Sequence, residues 1–229
     1  MRQIVLDTET TGLDPRSGHR IIEVACIEMV NRRLTGRHLH KYTNPEREID
    51  EGAQAVHGIS LEFLADKPKF VEVVEEFLEF LGDAALVIHN ASFDLKFVNS
   101  ELHRVGKPAI PHARAIDTIE IAKSKIPGAR YSLDELCKRF SIDLTSRTLH
   151  GALLDSQLTA QVYLELVGGR QKNLLLSPSD EAAAGPVADV RVARARPEPL
   201  APRFSETEIA AHTAFVEKEL GNDAVWNWS

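Results

Sequence analysis

Short apolar runs separated by polar stops fill the first part of the chain and predict strands. Residues 3–7 read "QIVLD", residues 21–30 read "IIEVACIEMV", and residues 37–45 read "RHLHKYTNP", a run that ends at a proline. Proline is tolerated at the end of a strand but not within a central one. Because short connections link the three runs, the pattern predicts an antiparallel meander.

From residue 71 onward, the apolar spacing changes to that of amphipathic helices. Residues 71–82 read "VEVVEEFLEFLG", in which Gly82 is a helix stop. The predicted buried stripe of this helix consists of Val71, Val74, Phe77, Leu78 and Leu81.

Strands and helices alternate in the following segment. Residues 85–90 read as a buried strand, and the next helix begins with Ser92 as N-cap and ends at Gly106. Residues 132–140 begin with a capping-box pattern, and residues 153–169 form a long amphipathic helix that ends in a glycine pair. Together these elements predict an α/β fold, with a mixed sheet of antiparallel meander and parallel strands flanked by helices.

The composition changes after residue 169, which divides the chain into a folded unit (1–169), a linker (170–203) and a tail (204–229). The linker contains five of the eleven prolines, seven alanines and no aromatic residue, so we expect it to be flexible. The tail has a capping-box pattern at Ser205 and Glu208 and both tryptophans of the chain. We interpret it as a segment that docks on a partner, with a frayed terminus as the alternative.

The overall charge narrows the possible functions. The 229 residues carry a net charge of -7, which argues against coating nucleic acid by bulk positive charge. An enzyme that holds a few nucleotides in a metal-charged cleft stays possible, because bound cations invert the local field.

The cysteines and the apolar runs indicate a cytoplasmic protein. Cys26 and Cys137 each lie in an apolar pattern without a metal-type spacing, so we expect both to be buried and reduced. No apolar run approaches the length of a membrane span, and the first residues lack a secretory pattern.

Two acids stand at the end of the first apolar run. Residues i and i+2 of a strand face the same side, so Asp7 and Glu9 point together and repel each other if buried. For this pair alone, a solvent-facing strand end is the better explanation. Thr8 lies between the two acids and points to the opposite face.

Three residues elsewhere in the chain reverse that preference. Asp94 lies in the first turn of a helix that leaves a buried strand, and strand exits are common ligand sites. Asp155 lies within an apolar run, where an unpaired carboxylate is unfavourable. His150 is five residues earlier, about 500° of helical rotation, so we place it on the loop that enters the helix.

Four carboxylates and a histidine from separate segments match two-metal phosphoryl chemistry. Oxygen ligands favour Mg²⁺ or Mn²⁺ over zinc, so the predicted cofactors are two divalent ions of this kind. A histidine that titrates near neutral pH suits removal of a proton from the attacking water.

Three motifs in order, "DTETTG", "HNASFD" and "HGALLD", resemble those of the DEDD exonucleases with an active-site histidine. Further stretches, "VNRRLTG", "VHGI" and "RTLHGALLD", are similar to the epsilon proofreading subunits of bacterial DNA polymerase III. The resemblance covers residues 2 to about 170 densely. It implies a ribonuclease H-like fold and a 3′→5′ exonuclease that releases nucleoside monophosphates.

The resemblance also implies roles for individual residues. The metal ligands are Asp7, Glu9, Asp94 and Asp155, and the general base is His150. The implied contacts to the terminal nucleotide, besides the ligands Asp7, Glu9 and Asp155, are Thr8, Thr10, Thr11, Val56, His57 and Phe93.

Several of these implied contacts have alternatives. The orientation of Thr8 argues against a side-chain contact, whereas Thr10 and Thr11 begin the turn beyond the strand, where backbone contact is expected. His57 contacts the nucleotide or is a turn histidine before Gly58. One departure from the family pattern is Gly52, which stands where some members have a nucleotide-contacting glutamate.

The linker and tail imply protein partners by the same resemblance. "RQKNLLL" is similar to a sliding-clamp motif, with Gln171, Leu174 and Leu176 as anchors, and the tail resembles the tether to the polymerase alpha subunit. A tether raises the local concentration of the nuclease at the primer 3′ end. A small accessory subunit is a further candidate partner.

Two questions stay open from the sequence. The basic stretch 31–41 is a solvated hairpin or a phosphate-facing rim. Two rival functions are considered. The tail argues against a free-standing ribonuclease, and the intact acids argue against a non-enzymatic bridge between clamp and polymerase.

Overall fold

The computed structural model describes residues 1–145, 147, 149–168 and 205–219. The chain divides into two compact units, Met1–Leu175 and Leu176–Ser229. The linker 170–203 and the predicted clamp anchors Gln171, Leu174 and Leu176 lie outside the described residues. None of the described helices is both long and apolar enough to cross a bilayer.

A five-stranded mixed sheet forms the centre of the first unit, with strand order β3-β2-β1-β4-β5. β1 pairs antiparallel with β2, and β2 with β3, whereas β4 is parallel to both β1 and β5. This arrangement confirms the predicted fold class. The strands are β1 (Arg2–Thr10), β2 (Ile21–Val30), β3 (Arg33–Tyr42), β4 (Ala85–Ile88) and β5 (Ala115–Asp117).

Helices flank the sheet and form the tail. Two short 3₁₀ turns, Pro15–Ser17 and His112–Arg114, lie in connections. The α-helices are α1 (Glu51–His57), α2 (Leu61–Leu64), α3 (Phe70–Leu81), α4 (Ala91–Arg104), α5 (Thr118–Lys125), α6 (Leu133–Arg139), α7 (Ala152–Leu166) and, in the second unit, α8 (Glu206–Glu219).

Alternate residues of β1 point into different halves of the core, as a pleated strand requires. Ile4 and Leu6 pack in the cluster built from α3 and α4. Val5 packs on the other face against Ala160 and Leu164 of α7. The central strand therefore contacts helices on both sides, and residues near its end inherit the same alternation.

The prediction for α3 is right in position but partly wrong in its buried face. The helix ends at Leu81, with Gly82 as its cap. Val71, predicted to be buried, is 55% exposed, whereas Phe70 and Val73 are buried. The error arises because Val71 stands next to the buried residue Phe70 in an apolar run that has more residues than one helix face can hold.

The predicted cap of α4 is wrong. The helix begins at Ala91, and its N-cap is Asn90 in the left-handed conformation (φ 67°), rather than Ser92. The Asp117 carboxylate at the end of β5 accepts from the Ala91 amide at 2.9 Å and from the Asn90 amide at 3.3 Å. A cap supplied by a neighbouring strand has no local sequence signal.

Two other predicted caps are present. The Ser132 hydroxyl accepts from the Glu135 amide at the start of α6. At the start of α8, the Ser205 amide donates to the Glu208 carboxylate while the Ser205 hydroxyl accepts from the Glu208 amide. This reciprocal pair is the predicted capping box.

The basic stretch 31–41 forms a hairpin. Asn31 and Arg32 connect β2 to β3 with positive φ angles of 51° and 64°, as a two-residue hairpin turn requires. Val30 pairs with Arg2 at the start of β1, so this turn lies at the opposite end of the sheet from Glu9. Of the two alternatives for this stretch, the hairpin therefore describes the turn at Asn31 and Arg32. Both cysteines are buried and free, as expected.

Candidate active site

An open cavity of about 590 Å³ lies where the carboxyl ends of β1 and β4 meet. Parallel strands end at the same edge of a sheet, and ligands commonly bind there. The five predicted catalytic residues all line this cavity: Asp7, Glu9, Asp94, His150 and Asp155. They come from β1, α4, the loop before α7, and α7. Phe93 lines the same cavity.

The alternation along β1 places both of its acids on one face of the sheet and the threonine between them on the other. Asp7 and Glu9 share the face of Val5, on which α7 and Asp155 lie. Thr8 points to the opposite face, as expected, and its hydroxyl donates to the Asp94 carboxylate at 2.7 Å. Thr8 thus positions a predicted metal ligand.

Asp94 lies in the first turn of α4, and its place depends on how that helix begins. Asp117 fixes the start of α4 through the Asn90 and Ala91 amides and also accepts from the Ile119 amide at 2.8 Å at the start of α5. One carboxylate at the end of β5 therefore orients two helices that border the cavity.

Asp155 lies in the first turn of α7 and is almost fully paired. The Arg147 guanidinium donates from Nε to Oδ1 and from Nη2 to Oδ2, both at 2.7 Å. His150 Nδ1 lies 3.1 Å from Oδ2 of the same carboxylate. The cavity thus holds its own cation beside the last acid of the set.

His150 lies on the loop before α7, as predicted from its five-residue distance to Asp155. Its backbone amide donates to the Val56 carbonyl at 3.1 Å. Its side chain is half exposed and contacts Asp155 on one side. The ring is accessible from the cavity and is oriented by a carboxylate, which suits proton transfer.

The carboxylates have strongly displaced pKa values. Burial, followed by the charges of Asp94 and the other acids, raises the pKa of Asp7 well above its usual range. Burial and the charge of Asp155 raise the pKa of Glu9 to about 8, and burial raises the pKa of Asp94 to about 7. Burial opposes ionisation of Asp155 too, but hydrogen bonds from Arg147 and His150 overcome it and lower the pKa of this carboxyl.

The residues present fit a divalent cation. Within the described part of the chain, Glu9, His150 and Asp155 each offer a ligand atom, and these atoms lie within 4.8 Å of one another. Asp7 and Asp94 line the same cavity beside this group. Buried carboxylates that resist ionisation are the groups that a hard cation would stabilise.

The predicted nucleotide contacts divide into two groups. Phe93 lines the cavity and packs against Phe97. Thr10 is the last residue of β1 rather than a turn residue, and its hydroxyl donates to the Gly12 carbonyl. The Thr11 side chain is buried against His19. The structure therefore does not bring the two threonine side chains into the cavity.

Val56 and His57 lie at the end of α1, which the sequence analysis did not predict as a helix. Val56 is partly exposed and contributes the carbonyl that binds His150. His57 Nδ1 accepts from the Ile59 amide, which matches the turn interpretation. Its buried Nε2 has no hydrogen-bond partner among the described residues, so a donor is left over for another contact.

Four residues organise the site in ways that were not predicted from the sequence, although Thr8 was named there as a possible nucleotide contact. They are Thr8, Asp117, Arg147 and Glu23, the last of which is buried and contacts His40 Nε2 at 2.6 Å. Glu23 had a usable signal, because an acid inside the apolar run "IIEVAC" must have a partner. Arg147 opens the stretch "RTLHGALLD" that carries the family resemblance, but an arginine in a polar loop gives no physical signal of its partner.

The chain matches known proteins over most of its length. The exonuclease model RNase_T matches residues 4–163. DNA polymerase III subunit epsilon of Rickettsia typhi is 47% identical over 224 residues, which cover 96% of this chain and 97% of that protein. DNA polymerase III subunit epsilon of Escherichia coli K12 is 42% identical over 236 residues, covering 98% and 97%.

Solved structures show the same fold. Exonuclease X in complex with 5′ overhanging duplex DNA is 27% identical, with a TM-score of 0.57, and the match covers 72% of this chain and 90% of that one. The nuclease domain of 3′hExo, a DEDDh family member bound to rAMP, has a TM-score of 0.63 at 19% identity, over 75% and 94% of the two chains.

Proposed function

The chain belongs to the exonuclease family and, within it, to the epsilon subunits of DNA polymerase III, and we propose that it is a proofreading 3′→5′ exonuclease that removes mispaired 3′-terminal nucleotides. Its reaction is hydrolysis of the terminal phosphodiester with release of nucleoside monophosphates. The observation that carries this proposal is the convergence of four carboxylates and His150, from four places in the chain, on one cavity.

The proposed metal ligands are Asp7, Glu9, Asp94 and Asp155, which would hold two Mg²⁺ or Mn²⁺ ions. When bound, such ions supply charge neutralisation for the phosphate and Lewis acidity toward the attacking water. The protein contributes rigid placement. β1 fixes Asp7 and Glu9 on one face, while the Thr8 hydroxyl holds Asp94 from the other.

His150 is the proposed general base. The ring is half exposed at the cavity, and Asp155 lies beside Nδ1 at 3.1 Å. A proton held on Nδ1 makes Nε2 the atom to receive the proton of water, once Arg147 Nη2, which lies 3.3 Å from Nε2, has moved away. The carboxylate that faces Nδ1 stabilises the imidazolium that forms. The hydrogen bond from the His150 amide to Val56 ties the base to the end of α1.

The proposed nucleotide contacts follow from the positions around the cavity. Phe93 lies at the cavity wall, where its ring is available to the terminal base. His57 offers an unpartnered Nε2 donor, and Val56 presents a partly exposed side chain next to it. For Thr10 and Thr11 the proposal is limited to their backbone, since both side chains are engaged internally.

The proposed partners are DNA and a replicative polymerase. The relatives named above are polymerase subunits, and α8 carries the exposed apolar side chains of Ile209 and Phe215. An exposed apolar side chain on a tail helix suits docking to a partner subunit. The sliding-clamp contact of residues 171–176 and a small accessory subunit stay proposals from sequence.

Incubation of the protein with a 3′-mismatched primer, with and without Mg²⁺, tests the chemistry. We expect metal-dependent release of mononucleotides from the 3′ end. Asp7→Asn combined with Glu9→Gln should reduce the rate by more than about 100-fold, beyond the loss typical of outer-shell changes. Full activity of that double variant would refute the ligand assignment, and degradation of RNA alone would favour a free-standing ribonuclease.

Polymerase docking is tested separately on the full chain. We expect Ile209→Asp combined with Phe215→Asp to abolish co-elution with the catalytic polymerase subunit while mononucleotide release from short DNA is kept. Val71→Asp is the matched control, because it places the same charge at an exposed apolar site of the first unit. Co-elution that survives the double substitution would refute a role of α8 in the tether.

A further inference from the structure

Arg147 is the single arginine or lysine that lines the cavity, among the residues that the structure describes. It faces five carboxylates in that lining: Asp7, Glu9, Asp94, Asp134 and Asp155. Burial is the main cause that raises the pKa of Asp7, Glu9 and Asp94, and for Asp7 and Glu9 the charges of the other acids in the cavity add to it. The guanidinium is thus the one fixed positive charge against an acidic centre.

The contact between Arg147 and Asp155 has the geometry of a strong ion pair. Two parallel N–H groups, Nε and Nη2, reach the two carboxylate oxygens, each at 2.7 Å. The side chains are 7% and 5% exposed, so water competes little for either partner. A bidentate fork of this kind combines charge with fixed direction.

The same guanidinium has two further contacts. Nη1 pairs with the Asp134 carboxylate of α6, and Nη2 lies 2.8 Å from His150 Nδ1. Arg147 therefore joins α6, the His150 loop and α7 at the rim of the cavity. Loss of its contact with Asp155 would leave it paired with Asp134.

We propose that Arg147 is a built-in counter-cation that holds the Asp155 carboxylate in the metal-free protein and must release it before Asp155 can bind a divalent ion. This inference rests on the proposed function, because it needs Asp155 to be a metal ligand. Beyond the proposed metal ligands, it assigns a role to Arg147, which competes with the metal ion for the Asp155 carboxylate.

The physical reason is that both cations need the same oxygens. The fork takes one lone pair of each oxygen and holds a positive charge beside both, so it repels a second cation and a metal ion binds Asp155 tightly only after the guanidinium moves. The apparent affinity of a ligand falls by the fraction of molecules in the competent state. If the pair is closed in about nine molecules of ten, the ion binds about tenfold more weakly than to an open site.

Arg147 also stabilises the fold of the metal-free protein. Removal of Arg147 leaves Asp155 buried beside Glu9 and Asp7 without a compensating charge, which destabilises the fold. A bound metal ion supplies that charge instead. The stabilising effect of Arg147 is therefore larger in the metal-free protein than in the metal-bound protein, where only the pair with Asp134 is kept, whereas an ordinary structural arginine acts equally in both states.

The experiment compares wild type, Arg147→Met and Arg147→Lys, with Arg139→Met as matched control at an exposed arginine of α6. Mn²⁺ affinity is measured by titration calorimetry, and the melting temperature is measured in EDTA and in saturating Mn²⁺. For Arg147→Met we expect a Kd about tenfold lower, a lower melting temperature in EDTA and nearly the wild-type value in Mn²⁺. Arg147→Lys should fall between, since lysine lacks the fork.

Different outcomes would overturn the counter-cation role of Arg147 alone or the metal centre as well. An unchanged or weaker Mn²⁺ affinity in both Arg147 variants, or equal losses of melting temperature in EDTA and Mn²⁺, overturns the counter-cation and leaves the metal centre intact. Absence of Mn²⁺ binding in the wild type overturns the metal centre and this proposal with it. Should Arg147→Met fail to fold in EDTA, the lysine variant decides by its affinity.

Discussion

Glu23 of β2 lies directly opposite Glu9 of β1 in the antiparallel ladder. Both side chains are buried, and residues paired across a ladder share one face of the sheet. His40 Nε2 approaches Glu23 at 2.6 Å, while Glu9 faces the cavity. Burial, with the charges of Asp155 and Glu23, raises the pKa of Glu9 to about 8.

This displaced pKa predicts how stability depends on pH in the metal-free protein. Glu9, with its pKa raised from 4.5 to about 8, retains a proton in the folded chain that the unfolded chain has already lost. The free energy of unfolding is therefore highest below the unfolded value and falls as pH rises through about 8. We expect the melting temperature in EDTA to be about 5 °C lower at about pH 9 than at about pH 6.

Glu9→Gln provides the control for this pH dependence. The amide has the size of the carboxyl and does not titrate, so the decrease between the two pH values should shrink. Saturating Mn²⁺ should likewise flatten the wild-type profile, since a bound cation favours the ionised carboxylates. An EDTA profile with the same slope in wild type and variant would contradict the assignment of the shift to Glu9.

Thr8→Val tests the hydroxyl that holds Asp94. The substitution keeps the β-branched shape but removes the donor of the 2.7 Å hydrogen bond. We expect kcat on a mismatched primer to fall by roughly 10–100-fold, as for other residues that orient metal ligands. Thr35→Val makes the same chemical change on the distant hairpin, where the hydroxyl contacts Glu28, and should leave kcat unchanged.

Asp117→Ala tests the cap that β5 supplies to two helices. Its carboxylate accepts from three amides, those of Asn90, Ala91 and Ile119. We expect a loss of about 1–3 kcal/mol in the free energy of unfolding by urea, because the partly buried amides of Ala91 and Ile119 lose their acceptor. A shifted start of α4 should also reduce kcat by about tenfold or more.

Ser60→Ala is the reference for the effect of an ordinary cap. The Ser60 hydroxyl accepts from a single amide, that of Phe63, at the start of α2. Its removal should cost about 0.5–2 kcal/mol without an effect on kcat. Equal kinetics in the Asp117 and Ser60 variants would show that the start of α4 does not position Asp94.

Gly58→Ala tests the connection between α1 and the His150 loop. Gly58 has a φ of 70°, and an added Cβ would lie 2.6 Å from Cδ1 of Leu149, the neighbour of His150. The exposed end of the Leu149 side chain must rotate away, and we expect a small decrease in kcat, about twofold to threefold, where this rotation shifts the neighbouring His150. The left-handed backbone adds about 1–2 kcal/mol of strain.

Gly106→Ala separates the effect of backbone strain from the effect of displacing Leu149. Gly106 also has a φ of 70°, but nothing lies within 4 Å of the added Cβ. This variant should lose a similar amount of stability in urea unfolding and keep the wild-type kcat. A matching loss of kcat in both variants would remove the link between Leu149 and the general base.

Elements whose signals lie within a few neighbouring residues could be predicted from the sequence. β2 spans residues 21–30, as predicted, and the stop at Gly82 and the caps at Ser132 and Ser205 appear where the sequence places them. The acids of the candidate site are recognisable because unpaired carboxylates in apolar runs need a partner. The short helices α1 and α5 have weaker apolar periodicity and were not predicted.

Contacts made by distant segments were not accessible in this way. Asp117 caps α4 from 26 residues away, and Thr8 reaches Asp94 across 86 residues. Neither residue differs in type from an ordinary strand or turn residue. Arg147 was missed for the same reason, since its meaning depends on the fold of α6 and α7 around it.

The order of the elements has a consequence for protein synthesis. β1 is the first element of the chain and occupies the centre of the sheet, whereas α7 follows every other described element of the first unit and brings Asp155 to the cavity. The proposed nuclease centre therefore cannot assemble on a ribosome until translation has passed α7. A chain interrupted before that point carries Asp7, Glu9 and Asp94 but lacks Asp155, so the proposed activity requires a chain that has been translated through α7.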